Sequence, residues 1–78
     1  MRLTSDPRAN IAYIQLRPKR GKVRTVQVSD ELNVDLAAYG SIYGIELLNA
    51  NEQLRGSDDG RFVFVNPFSG EETALKVA

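Results

Sequence analysis

The chain has no cysteine, no histidine and no tryptophan. Without Cys there is no disulfide and no thiolate metal site. Without His there is no imidazole ligand and no side chain whose ordinary pKa sits near neutrality. Any metal would have to be a hard cation held by carboxylates. Apolar runs are short, and none approaches the ~20 residues needed to cross a bilayer. The opening Met1-Arg2-Leu3-Thr4-Ser5-Asp6-Pro7 leads into no apolar stretch, so it does not read as a signal peptide. A cytoplasmic, reducing location with no membrane contact is the expectation.

Net charge is also missing, with ten Lys and Arg against ten Asp and Glu. The balance hides an asymmetry. Residues 1–24 hold Arg2, Arg8, Arg17, Lys19, Arg20, Lys22 and Arg24 against the single acid Asp6, and the acids dominate from there on. Such a split marks either a polyanion-binding end or two halves that attract each other. At 78 residues there is room for one domain only. A chain this small buries about 60% of the surface its unfolded form exposes. Small domains recover stability through disulfides, metals or association. With thiolates and imidazoles absent, self-association is the expected source.

What the chain does have is period-2 alternation, with no sustained helical period. Leu3 marks a short first strand, closed by the turn Asp6-Pro7-Arg8-Ala9-Asn10. Ala12, Ile14 and Leu16 form one face of the next strand, and Val26 and Val28 one face of the strand after it. Setting Ile14 opposite Val26 leaves Lys19-Arg20-Gly21 as a three-residue hairpin loop. Ser29-Asp30-Glu31 turns the chain again. A two-residue turn at Tyr39-Gly40 then sets Leu36 against Tyr43, Val34 against Ile45 and Leu32 against Leu47. A three-residue loop would oppose Val34 to Gly44 and expose Ile45 and Leu47. Asn49 with Glu52 three residues on is a capping-box pattern, and Gly56 is placed to end the short helix between them. Ser57-Asp58-Asp59-Gly60 links to a last hairpin, Arg61 to Val65 and Thr73 to Val77, around Asn66-Pro67-Phe68-Ser69-Gly70. The expected class is mostly β (α+β): an antiparallel β meander over residues 3–55 with one short helix, extended by a C-terminal β-hairpin in 57–78. The apolar sheet face needs a cover, either that hairpin or a second copy packed face to face.

Asp6-Pro7-Arg8-Ala9-Asn10-Ile11-Ala12-Tyr13-Ile14, Val26-Gln27-Val28, Leu32-Asn33-Val34-Asp35-Leu36 and Gly44-Ile45-Glu46-Leu47-Leu48-Asn49-Ala50 together resemble the YuzE-like small domains of domain-of-unknown-function family 2283. The resemblance covers about residues 3–55. It departs at Asn10, where the family turn usually carries an acid, and in the basic Lys19-Arg20-Gly21 loop, where the family is usually acidic or neutral. The resemblance implies a small β-rich intracellular domain with no established activity. Members occur in bacterial and phage genomes, sometimes near genes resembling toxins, which implies an antitoxin-like role as a family-level expectation.

Candidate chemistry is sparse. Asp35 and Glu46 share the polar sheet face and are read as solvated strand residues rather than a catalytic or metal pair. Ser5, Ser29, Ser41, Ser57 and Ser69 fall at expected turns, and no Lys is placed to activate one. Gly40, Gly44, Gly56, Gly60 and Gly70 are spaced as turn and cap residues, with no phosphate-cradling loop before a helix. Tyr13 and Tyr43 read as sheet packing and Tyr39 as a turn tip. No catalytic, cofactor or metal site is expected, and the protein is not read as an enzyme. Two features stand out as partner-binding candidates. Arg17, Lys19, Arg20 and Lys22 crowd one loop, which suits an acidic protein or, alternatively, nucleic acid, although no aromatic side chain interleaves the charges for base stacking. Phe62 and Phe64 lie in a strand that is apolar on both faces, and Phe68 sits at a hairpin turn where solvated residues are the norm. The functional expectation is a non-enzymatic interaction module with a protein partner, self-associating and, by the family resemblance, antitoxin-like, with nucleic-acid binding through residues 17–24 as the alternative.

Overall fold

The computed structural model describes residues 1–18 and 21–77. Among these residues seven strands form: β1 (Arg2–Asp6), β2 (Ile11–Gln15), β3 (Val23–Ser29), β4 (Leu32–Ala37), β5 (Ile42–Leu48), β6 (Arg61–Asn66) and β7 (Glu71–Lys76). One helix, α1 (Ala50–Arg55), and a 3₁₀ turn at Asp58–Gly60 stand between β5 and β6. The class is as the alternation predicts: mostly strand, all antiparallel, one short helix and a C-terminal hairpin.

The strand order holds a correction. The five-stranded sheet runs β1-β2-β5-β4-β3, so β2 lies beside β5 and β3 stands at the edge. Ile14 therefore faces Ile45, not Val26, and β2 and β3 are not hairpin partners; Lys19 and Arg20 of the expected loop lie outside the described residues. Alternation assigns a residue to a face but does not choose its neighbour. Pairing β2 with β5 sets Ala12 against Leu47 and Ile14 against Ile45, the same apolar face that the β4–β5 pair builds with Leu32, Val34, Ile45 and Leu47. β2 and β3 stand three strand spacings apart in the sheet, about 14 Å. The seven residues from Leu16 to Lys22 are long enough for that. The result is a Greek-key arrangement of β2, β3, β4 and β5, with β1 added outside β2.

The β4–β5 register keeps the expected pairs Leu32–Leu47, Val34–Ile45 and Asp35–Gly44, but by a different route. Ala37 N–H donates to Ser41 O at 2.8 Å and Gly40 N–H to Ala37 O at 2.9 Å, which makes a three-residue loop with Gly40 at φ 91°. That loop pairs Leu36 with Ile42, not with Tyr43. Tyr43 is then an extra residue, a bulge that restores the register from Gly44 onward.

The two outer hairpins share one turn design. In the first, Asp6 Oδ1 accepts the N–H groups of Arg8 (3.0 Å) and Ala9 (3.3 Å), and Asn10 closes at φ 59°. In the last, Asn66 Oδ1 accepts those of Phe68 (3.0 Å) and Ser69 (3.3 Å), and Gly70 closes at φ 78°. Both are Asx turns around a proline, with a left-handed residue at the end.

α1 packs against β2 and β6. Its start departs from the capping-box expectation. Asn49 stands at the N-cap but in the left-handed region (φ 53°), and its side chain caps no helix N–H. Asn10 does so from the distant turn: its Oδ1 takes Asn51 N–H at 2.8 Å and its carbonyl takes Ala50 N–H at 3.1 Å. Gln53 Nε2 donates to Glu31 O (2.9 Å) and Leu48 O (2.6 Å), tying the helix to the β3–β4 turn as well. Gly56 ends the helix in right-handed rather than left-handed geometry.

The core is thin. Among the described residues the completely buried apolar side chains are Ala12 and Ala50, at 1% and 0% exposure. The sheet's apolar face, including Leu3, Ile14, Leu32, Val34, Leu36, Ile45 and Leu47, is only half-buried. The C-terminal hairpin packs on α1 and the 3₁₀ turn.

Candidate interaction surfaces

The polar face of the sheet is internally hydrogen-bonded, save for Asn33 Oδ1, which is buried without a partner. Tyr13 on β2 reaches across β5 above Gly44, and its hydroxyl donates to Asp35 Oδ2 on β4 at 2.6 Å. Thr25 on β3 donates to Asp35 Oδ1, also at 2.6 Å. Asn33 Nδ2 donates to Glu46 Oε1 at 2.9 Å. The tyrosine ring requires the glycine: a Cβ at Gly44 would lie 2.6 Å from Tyr13 Cε1 and Cζ. Gly44 is thus a mid-strand packing residue, not the turn or cap residue its spacing suggests. Tyr43, the bulge residue, tilts against Tyr13 with centroids 6.3 Å apart. Burial, the hydrogen bond to Asp35 and the nearby Asp35 charge, in that order, push the Tyr13 phenol well above its ordinary pKa. Asp35 and Glu46 are therefore occupied as acceptors in a bracing row across four strands. Among the described residues no group of three or more potential ligands gathers to hold a metal.

Arg2, Arg17, Lys22 and Arg24 gather at one end of the sheet. β1 and β3 begin there, β2 and β4 finish there, and β5 starts there. Arg17 lines a shallow recess of about 330 Å³ with Met1, Arg2, Gln15, Leu16 and Pro18. Lys22 and Arg24 border a second recess of about 320 Å³ with Val23, Ala37, Ala38 and Gly40. Lys19 and Arg20 lie outside the described residues. The opposite end carries Asp6 in the first turn, Asp30 and Glu31 in the β3–β4 turn, and Glu52 on α1. Arg2 joins the basic end through strand pairing, which its distance in sequence from Arg17 conceals. Arg8, in the first turn, sits at the acidic end.

The C-terminal hairpin is the apolar surface. Phe62 pairs with Leu75 and Phe64 with Thr73, so both rings share one face. Exposure is 43% at Phe62, 54% at Phe64 and 60% at Leu75. On the other face Val65 is 54% exposed and Val63 half-buried. Phe68 is 99% exposed at the turn and does not fold back onto the strands. Leu75 and Val65 belong to this surface too. The pairing Phe62–Leu75 brings the first in, and the unbroken Phe-Val-Phe-Val run already signalled the second.

Residues 3–51 match the family model described as a protein of unknown function, DUF2283. The chain belongs to the DUF2283 family. The match spans the five-stranded sheet and the start of α1. The C-terminal hairpin lies beyond the matched segment. No curated protein and no solved structure matches the chain. Among the described residues no helix is long and apolar enough to cross a membrane.

Proposed function

We propose that this DUF2283 protein is a cytoplasmic, non-enzymatic interaction module that works by stoichiometric binding to another protein, with its C-terminal hairpin as the docking element. The observation that carries the reading is the exposure of Phe62, Phe64, Phe68 and Leu75 on a two-stranded ribbon that the rest of the chain leaves uncovered. An isolated two-stranded hairpin is marginal in water, and exposed aromatics of this kind are the usual anchors of protein contacts. In its antitoxin-like form, the module holds a toxin-like protein inactive by occupying its surface. The test is a tagged pull-down from host lysate, with and without nuclease, comparing the wild type with a Phe62→Ser/Phe64→Ser/Phe68→Ser variant. A protein captured by the wild type, insensitive to nuclease and lost with the variant supports the reading. Equal capture by the variant overturns it.

A second reading rests on the basic end. Arg2, Arg17, Lys22 and Arg24 meet at one end of the sheet, away from the acids of the two turns opposite, which is an electrostatic footprint for a polyanion. If nucleic acid is the partner, Lys19→Ala/Arg20→Ala/Lys22→Ala lowers affinity and reduces the salt slope by about 0.9 per lost phosphate contact on duplex DNA. A slope unchanged by the triple substitution removes this reading.

A further inference from the structure

Two apolar surfaces of this chain face solvent at once: one side of the five-stranded sheet and one side of the β6–β7 hairpin. Together they leave the monomer unusually open. Its accessible surface is 5933 Å², against about 4,700 Å² for a compact monomer of this mass. Its radius of gyration is 13.9 Å, against about 11.5 Å for a compact 78-residue domain. The excess area of about 1,200 Å² per chain is more than the ~800 Å² each partner contributes to a standard stable interface.

We infer that the hairpin's first partner is a second copy of the chain, in a reciprocal clasp: the Phe62, Phe64 and Leu75 face of each protomer's hairpin packs on the Val26, Val34, Leu36, Ile42 and Ile45 side of the other's sheet. This inference rests on the reading of the hairpin as a docking element and names what it docks on. The dimensions agree. Six-residue strands span about 20 Å, and the sheet strands of five to seven residues span about 17–24 Å. Charge agrees as well. The hairpin carries exposed Glu71 and Glu72 beside its turn, and the sheet ends in Arg17, Lys22 and Arg24. Reciprocity closes the assembly as a two-fold dimer, because each chain offers one hairpin and one face. It also leaves the polar sheet face and the first-turn end of the molecule outside the contact.

The test is sedimentation equilibrium of the full chain, followed by a mixing experiment. Phe62→Ser/Phe64→Ser removes the hairpin anchors. Val26→Ser/Ile42→Ser alters the sheet face at two side chains that are 37% and 40% exposed, so the monomer retains its fold, checked by far-UV circular dichroism. The wild type is expected to be dimeric. Each variant alone should raise the dimer dissociation constant by about 30-fold or more, the scale of losing a central aromatic anchor. Mixing the two variants should restore a heterodimer, because a clasp keeps one intact hairpin–face contact when each protomer has lost a different half. A wild type monomeric throughout, dimers unaffected by either pair of substitutions, or a mixture no more associated than its components each overturns the clasp. A monomeric wild type that still loses its captured protein when Phe62, Phe64 and Phe68 are changed overturns the clasp while sparing the protein-binding reading.

Discussion

Replacing Gly44 by Ala adds one methyl group and should cost several kilocalories per mole. The new Cβ would stand 2.6 Å from Cε1 and Cζ of Tyr13, inside contact distance. No positive φ is involved at Gly44, so the whole effect is steric. The Tyr13 ring has to move, and its hydroxyl then loses Asp35 Oδ2 at 2.6 Å. Overpacking costs about 1–3 kcal/mol. A hydrogen bond to a carboxylate adds about 1.5–3 kcal/mol. The total, about 2.5–6 kcal/mol, consumes much of the ~4–12 kcal/mol available to a chain of this length. Urea denaturation followed by far-UV circular dichroism reads it directly. The decisive control is the same substitution in a Tyr13→Ala background, where the methyl meets no ring. There Gly44→Ala should be neutral or stabilising by up to ~1 kcal/mol, since Ala loses less backbone entropy than Gly in a strand. An equal cost in both backgrounds, or a cost below ~0.5 kcal/mol in the wild type, refutes the account of Tyr13 resting on Gly44.

Three further outcomes follow from the same geometry. The Tyr13 phenol has its pKa raised from 10.0 in the fold, so its contribution is fully present below pH 10 and is lost as pH rises through the folded value. The alkaline fall in stability that begins near pH 10 should therefore be shallower in Tyr13→Phe, measured as unfolding midpoints across that range. Asn10→Gly keeps the left-handed backbone but removes the acceptor for Asn51 N–H, costing about 0.5–1.5 kcal/mol for the lost hydrogen bond and loosening α1 in hydrogen exchange. Asn10→Asp retains that acceptor and should protect α1 better than Asn10→Gly does. Phe68→Ser, at a side chain 99% exposed, should leave stability within about 0.5 kcal/mol while weakening any contact made by the hairpin turn.

The parts of the fold legible in the sequence were those in which two neighbouring strands are joined by a short turn. The alternation of Leu32, Val34 and Leu36 against Ile45 and Leu47 determines which residues oppose, because any one-residue slip exposes an apolar set. It does not determine the loop. A three-residue loop with a bulge at Tyr43 gives the same pairs beyond the bulge as a two-residue turn, and only coordinates distinguish them. The β2–β5 pairing was hidden for another reason. Ile14 can face Val26 or Ile45 with equal apolar match, and nothing local to residues 16–22 reports how far the connection travels. Gly44 was misread because a glycine between polar and apolar residues looks like punctuation, whereas its purpose is set by Tyr13, thirty-one positions away in the chain. On the candidate surfaces, the aromatic content of the C-terminal hairpin could be read directly. The gathering of Arg2 with Arg17, Lys22 and Arg24 required the strand order.

The crossover from β2 to β3 has a further consequence. β3, β4 and β5 are joined by tight turns, and β1 and β2 by another, so the sheet consists of two locally wired pieces whose strands pair with each other along β2 and β5. The connection between them has to span a distance, and its described residues beyond Leu16 lie outside the strands. Cutting the chain at that connection should give two fragments able to reassemble into one sheet. Its sequence is correspondingly free to vary, since a span constrains length and not composition. A basic segment there can be gained or lost without altering a single rung of the ladder.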